Sequence, residues 1–360
     1  MFLKSLNLIN FRNYSSLDLN FDSRPTIFIG PNGAGKSNIL EAVYLLTTTK
    51  SPRVENEWEL IKEQASSASV TALVADEDSI NELLVTMMDG VEQDSRFSKR
   101  VKVNGVPRKV VDFIGNLPAV IFWPSDINMV TGSPSLRRWH LDISLAQIFP
   151  KYKKSLTLYE QVLYSRNRVL KRIKDGFGKI DELTYWTDEL MKYGEIVTKH
   201  RIEFFEFINN LKSALGDFKF EYKMSKFSLD RLQETNGREV AAAATLIGPH
   251  RDDFKLDLGK KDMARFGSRG EQRMATLAFK LATLEYMAAH PASGGKTLGK
   301  RPILLLDDVF SELDSAHRAA VSEIAKLQQT IIATVELENI PQDFLDSARI
   351  LRVENGKIIE

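Results

Sequence analysis

The chain has 360 residues, 43% of them hydrophobic and 27% charged, and its 49 Lys plus Arg against 48 Asp plus Glu leave a net charge of +1. That length supports two lobes with separate cores, and the even balance excludes a whole-molecule basic field, so any affinity for a polyanion must come from local patches. The absence of cysteine excludes disulfides and cysteine-ligated zinc, and the five histidines at 140, 200, 250, 290 and 317 lack metal-ligand spacing.

The segment Met1-Phe2-Leu3-Lys4 leads straight into alternating sequence without the apolar core of a signal peptide. No apolar run approaches the ~18 residues that span a bilayer, so the reading is cytoplasmic. Leu3, Leu6 and Leu8, then Leu17, Leu19 and Phe21, predict two short strands around a turn at residues 13–16. Residues 26–29 read as a buried strand, followed by a glycine-rich loop and a helix to Leu46. Further strands are expected at 70–74, 83–88, 99–103 and 119–122.

From about 137 to 215 the pattern turns helical. Leu183, Trp186, Leu190, Tyr193, Val197, His200, Phe204, Phe207, Leu211 and Ala214 alternate in threes and fours, a heptad seam of about nine turns. Leu156, Tyr159, Leu163, Leu170 and Ile173 offer a facing seam interrupted by Arg166, with turn residues at 174–179 between the two. This predicts a short antiparallel helical arm of roughly 35–45 Å, with His200 as a core histidine. The last third returns to α/β: a helix from 268 to about 289, a Gly/Lys-rich loop to Arg301, strands at 303–306 and 331–334, and a hairpin turning on Asn355-Gly356.

Gly30-Pro31-Asn32-Gly33-Ala34-Gly35-Lys36-Ser37 satisfies the pattern G-x-x-x-x-G-K-[ST] between a strand and a helix. Its backbone N–H groups can wrap phosphates at a helix N-terminus. Lys36 is expected to neutralise the β- and γ-phosphates of ATP, and Ser37 to ligate Mg²⁺. Gly295-Lys296-Thr297 also reads G-K-T, but the glycine required upstream would fall at His290, so that match is coincidental. The strand 303–306 ends in Asp307 and Asp308, with Asp307 expected to hold Mg²⁺ and Asp308 to act as base or to orient water. Ser311-Glu312-Leu313-Asp314 follows. Ser268 and Glu271 form a capping box, which explains neither Gly270 nor its poor helix propensity. A missing side chain there would let a phosphate reach the exposed N–H groups.

P-loop, signature helix, paired acids and Ser-Glu-Leu-Asp, in that order, resemble the ABC-type ATPase head of the SMC superfamily. Asn10-Phe11-Arg12-Asn13-Tyr14, Trp123-Pro124-Ser125-Asp126, Gly132-Ser133-Pro134 with Arg137-Arg138, Ser165-Arg166-Asn167 and Gly248-Pro249-His250-Arg251-Asp252-Asp253 narrow the resemblance to the RecF family over nearly the whole chain. The resemblance implies an α/β head whose first lobe is split into 1–125 and 291–360, around a largely helical second lobe at 126–290. It implies an ATP-dependent homodimer on double-stranded, gapped or junction DNA that acts in repair and replication, with RecR and the RecO/RecA pathway, to load RecA. It places Arg12 near the phosphates, Ser268, Gly270 and Gln272 across the interface from the γ-phosphate, and Asp314 in the loop linking the two sites. Two departures from the broader ABC pattern, Asp308 in place of glutamate and Thr334 in place of the switch histidine, point to weak ATPase activity used as a switch. Gln147 is the one candidate for a Q-loop glutamine.

Basic clusters offer DNA contacts: Lys99, Arg100, Lys102, Arg108 and Lys109; Lys151, Lys153 and Lys154; Arg166, Arg168, Lys171, Arg172 and Lys174. The runner-up reading is the ATPase subunit of a transporter. It fits poorly with the helical arm, the Asn-Phe-Arg-Asn-Tyr start and Thr334. A chromosome-bridging protein would need a longer arm, and a helicase would need motifs the chain lacks.

Overall fold

The computed structural model describes residues 2–75, 79–90, 97–290 and 301–359; the G-K-T at 295–297 lies outside them. The chain divides into two units, one of residues 1–126 with 283–360 and the other of residues 127–282. No helix among the described residues is long and apolar enough to cross a membrane.

The first unit holds two six-stranded sheets. One is antiparallel and starts with Phe2–Phe11, flanked by Tyr14–Asn20 and Ser67–Ala75. Leu6 and Leu8 are fully buried, as the alternation requires, and Leu3 is buried as well because the pairing shifts register between Leu3 and Ser5. The expected turn at 13–16 tightens to Arg12 and Asn13, with Arg12 at φ 53. The other sheet sets Ala119–Phe122, Ile303–Asp307, Thr330–Thr334, Thr26–Ile29 and Arg349–Glu354 side by side and parallel, closed at one edge by the antiparallel hairpin strand Lys357–Ile359. Thr26–Ile29, Ile303–Asp307 and Thr330–Thr334, in the middle of the sheet, are almost wholly buried because both faces are covered. In register, Thr334 pairs with Ile29, Asp307 with Ala333 and Leu306 with Phe122. The P-loop, the paired acids and Thr334 therefore leave the sheet along the same carboxyl edge, where open parallel sheets collect ligands.

The second unit contains the arm, Pro150–Lys174 and Leu183–Asn209. Its seam is not the one the sequence suggests. The buried stripe of the second arm helix is Leu183, Thr187, Leu190, Gly194, Val197, Arg201, Phe204 and Ile208, spaced four then three. Trp186, Tyr193, His200 and Phe207 stand only half-buried beside it, and Leu211 and Ala214 lie past the helix end. Both stripes share Leu183, Leu190, Val197 and Phe204, and apolar pattern alone favours the aromatic neighbours. The structure instead admits threonine, glycine and arginine, because each meets a partner. A Cβ on Gly194 would come within 2.5 Å of the Phe227 ring. His200 packs edge-on against Phe149 and Tyr152 and donates from Nδ1 to the Ile196 carbonyl at 2.8 Å.

Arg166 does not interrupt the facing seam; it is its buried centre. Its guanidinium is inaccessible, pairs with fully buried Glu239 at 2.8 Å and donates to Thr245 and Thr187 hydroxyls. The expectation that Arg166 contacts DNA is therefore wrong: the carboxylate of Glu239, on the helix Leu229–Ala242, has taken the charge that a phosphate would have met. Arg201 occupies a second buried node. It donates to Asp252 and Asp142 at 2.8 Å, to the Pro249 carbonyl at 2.7 Å and to the Tyr152 hydroxyl at 3.2 Å. Gln147, likewise, is buried in the helix Pro134–Ile148, with its amide on the Ile143 carbonyl. The sequence gives no sign of the small sheet formed by Phe218–Lys223, Asp253–Leu258 and Lys261–Asp262.

His250 donates from Nε2 to the Thr245 carbonyl (3.0 Å), which leaves Nδ1 of the neutral ring to accept from the Tyr159 hydroxyl (2.7 Å). Burial pushes its pKa down to about 4. The folded state resists a proton that the unfolded chain accepts near pH 6.5, so this contribution is complete above pH 6.5 and is lost as pH falls toward 4, up to roughly 3 kcal/mol. Urea titrations across that range should show stability falling more steeply in the wild type than in His250→Gln. Equal slopes would count against the assignment.

Candidate nucleotide-binding site

The loop from Gly30 to Lys36 is shaped by what cannot fit beside it. A Cβ on Gly30 would lie 2.1 Å from the Val353 carbonyl oxygen. Gly35, at φ 116, occupies the N-cap of the helix Lys36–Thr48, and a Cβ there would meet the Tyr14 hydroxyl at 2.6 Å and Asn13 Nδ2 at 2.7 Å. Glycine is thus required at both ends of the loop, independently of any ligand. Pro31, Asn32 and Gly33 face solvent, while Ala34 and Lys36 are buried.

The Lys36 ammonium donates to the carbonyls of Gly30 (2.7 Å) and Pro31 (2.9 Å), and burial lowers its pKa. Ser37 donates to Asp307 Oδ1 at 2.8 Å. Burial raises the Asp307 pKa, with Arg53 and Lys36 opposing the shift. A hydroxyl and a carboxylate in contact beside a buried ammonium fit a hard divalent cation that completes its shell with phosphate oxygens and water. Among the described residues no group of three or more His, Cys, Asp or Glu could hold a metal alone, so the fit is to a cation arriving with a polyphosphate. Asp308 stands half-buried in the left-handed region at φ 49, its N–H donated to the Ala333 carbonyl at 2.8 Å. Aspartate tolerates that region better than most residues, because its short polar side chain can bond locally.

Glu41, fully buried on the P-loop helix, gathers two arginines. Arg12 grips it with Nε and Nη2 at 2.9 and 2.7 Å, and Arg53 adds a bond at 2.9 Å. Arg53 also reaches Asn38 Oδ1 at 3.1 Å and stacks over the Trp123 ring at 5.1 Å. Arg12, Asn13, Asn38, Arg53, Trp58 and Lys62 line a cleft of about 760 Å³ next to the loop. The Arg12 donors are turned to Glu41 and the Glu59 carbonyl.

In the second unit, Ser268 and Glu271 realise the capping box: the Glu271 carboxylate accepts the Ser268 N–H at 2.7 Å, and Ser268 Oγ accepts the Glu271 N–H at 3.3 Å. Lys261 pulls the Glu271 pKa down to about 2. Gln272 donates to the Met263 carbonyl at 3.0 Å. Gly270 is exposed, and a Cβ there would meet nothing within 4 Å. Packing within the chain therefore does not require glycine at 270, in contrast to Gly30 and Gly35. Asp314 caps the helix Ser315–Ala325 through the His317 N–H at 2.9 Å. Thr334 ends its strand buried, its hydroxyl donated to the Glu336 carbonyl.

The family model described as RecF/RecN/SMC N terminal domain matches residues 2–357. A curated relative from Roseiflexus castenholzii, DNA replication and repair protein RecF, is 34% identical over 398 residues and 99% of both chains. The protein of the same name from Halalkalibacterium halodurans is 35% identical, again across 99% of both. The chain belongs to the RecF family. A solved structure of the recombination mediator protein RecF with ATP, from the RecFOR pathway, aligns with 99% of this chain and 98% of its own at TM-score 0.84 and 27% identity. An SMC head bound to the winged-helix domain of ScpA aligns at TM-score 0.53 and 18% identity, a likeness of fold alone. The ABC/SMC-type ATPase head is thus the fold of this RecF-family chain.

Four residues at the RecF-type P-loop escape motif reading: Asn13, Asn38, Glu41 and Arg53. Asn13 lies inside the recognised Asn-Phe-Arg-Asn-Tyr segment, and Asn38 and Glu41 follow the P-loop directly on its helix. Arg53 carries no local signal, because only the fold brings it to Glu41 and Trp123.

Proposed function

We propose that this chain is an ATP-gated DNA-binding protein of repair and replication, in which the P-loop holds ATP·Mg²⁺ and a second copy closes over it. The observation that carries the reading is the meeting of Lys36, Ser37 and Asp307 at the carboxyl edge of the parallel sheet. Lys36 would turn from the Gly30 and Pro31 carbonyls to the β- and γ-phosphates. Ser37 and Asp307 would hold the cation, which screens phosphate charge when bound. The neighbouring cleft, with Trp58 and Ile61 on its wall, suits the base and ribose. Asp308 would orient the attacking water. With a threonine at 334 where ABC ATPases carry histidine, hydrolysis is weak and ATP serves as a switch.

The open space over Gly270 supports a role for the Ser268 helix end toward the nucleotide of a second copy, with Ser268 and Gln272 as its donors. The exposed cations Arg100, Arg108, Lys109, Lys151, Lys154, Arg168 and Lys171 supply sequence-independent contacts to DNA phosphates. Membership of the RecF family and the RecFOR pathway named for the ATP-bound relative support RecR and RecO as partners, acting with RecA and loading it at gaps.

The test is dimer fraction and DNA affinity, measured with and without ATP. ATP should raise both by about tenfold or more, since a ligand shared by two subunits stabilises the closed state. Ser268→Arg should bind ATP normally and lose both increases. Normal closure by that variant would remove the composite site, and DNA affinity indifferent to ATP would favour the transporter reading.

A further inference from the structure

The Ala34 carbonyl, inside the P-loop, accepts two hydrogen bonds from outside it. One comes from the Gly356 N–H at 3.0 Å, in the turn that closes the C-terminal hairpin. The other comes from Asn13 Nδ2 at 3.1 Å. Asn13 is itself fixed: its Oδ1 accepts from Asn38 Nδ2 at 2.9 Å, and Gly356 packs so closely that a Cβ there would stand 3.2 Å from the Asn13 carbonyl oxygen and 3.3 Å from Nδ2.

The carbonyl and N–H of one trans peptide point in opposite directions. The carbonyl of Ala34 and the N–H of Gly35 belong to the same peptide, so pinning the first outward aims the second inward, into the phosphate cradle. Gly35 at φ 116 has no side chain to hold that plane, and a glycine peptide left free can turn over at small cost. We propose that the Asn355-Gly356 turn and Asn13 form a clasp that positions the P-loop, setting the Gly35 peptide for phosphate before nucleotide arrives. These are positioning residues, acting through the Ala34–Gly35 peptide. The proposal rests on the reading of the P-loop as a nucleotide site.

The chain contains its own control. Asn104-Gly105 closes another two-residue hairpin with the same left-handed pair, φ 52 and 75 against 48 and 71 at Asn355-Gly356. A Cβ on Gly105 meets nothing within 4 Å. Gly105→Ala and Gly356→Ala therefore impose the same backbone strain, and only the second presses on Asn13. In the full-length protein, ATP titrated calorimetrically should bind Gly356→Ala about tenfold more weakly than wild type: alanine keeps its N–H, but a Cβ 3.2 Å from the Asn13 carbonyl oxygen and 3.3 Å from Nδ2 pushes apart the two donors that hold the Ala34 carbonyl, a loss on the scale of one hydrogen bond. Gly105→Ala should bind as wild type does while losing the thermal stability that the shared backbone strain costs; Gly356→Ala should lose at least as much without nucleotide. Asn13→Leu, which keeps the approximate size, removes the donor and adds no charge, should repeat the weakening if Gly356→Ala folds poorly. By reciprocity, ATP should slow hydrogen exchange at the Gly356 amide. Equal ATP affinity in the two alanine variants, with exchange at Gly356 indifferent to ATP, overturns the clasp. Failure of wild type itself to bind ATP overturns the nucleotide reading instead.

Discussion

Lys36→Ala lowers ATP affinity by about two orders of magnitude and leaves the nucleotide-free protein at least as stable as wild type. The two halves of that expectation have one cause. In the nucleotide-free chain the ammonium is buried against two neutral carbonyls, and burial lowers its pKa, so the charged form is held there at a cost. Removing it costs folding little. A polyphosphate reverses the balance, because charge-assisted bonds contribute about 1.5–3 kcal/mol each where neutral ones contribute about 1. Losing roughly 3 kcal/mol of such contact corresponds to about a hundredfold in affinity. Calorimetric titration with ATP·Mg²⁺ alongside a urea titration without nucleotide measures both. ATP affinity unchanged in the variant would show that phosphate binds elsewhere.

The second large effect lies far from this chemistry in kind. Arg201→Ala should destabilise the protein by about 3–5 kcal/mol, because it leaves two carboxylates facing one another without their shared cation. Asp252 is almost wholly buried, and burial already raises its pKa; Arg201 and the hydroxyl of Tyr222 are what oppose that shift. Arg172→Ala provides the contrast. Its pair with Glu182 is 3.4 Å long and 58% exposed on the arginine side, so its loss should stay within about 1 kcal/mol. Urea titrations at pH 7 separate the two. Similar costs for both variants would mean that the buried node is already paid for by relaxation around it.

Buried nodes of this kind hold several of the family segments. Arg138 donates to the Asp252 carbonyl, Arg137 grips Asp253 through two nitrogens, and Arg166 binds Glu239 and Thr245. Asp252, Pro249 and His250 belong to the Gly-Pro-His-Arg-Asp-Asp run. These residues are charged or polar, so a reader of pattern places them at the surface or at a ligand. The arginines' partners lie far along the chain, Arg166 and Glu239 73 positions apart, Arg138 and Asp252 114, and Arg137 and Asp253 116, which no local period reveals.

By itself the sequence determined the fold class and the nucleotide motifs. Buried parallel strands are continuous apolar runs, a phosphate loop needs glycines at set spacing, and a carboxylate at a strand end needs only the strand before it. Each is local, so the strands Thr26–Ile29 and Ala119–Phe122 could be placed to the residue. Only the tertiary structure decided which stripe of the arm is buried, that Arg166 is a core residue, that Glu41 gathers Arg12 and Arg53, and that the C-terminal turn reaches Ala34. In each of these a polar group is buried because a specific distant partner satisfies it. That condition exists only once the chain has folded.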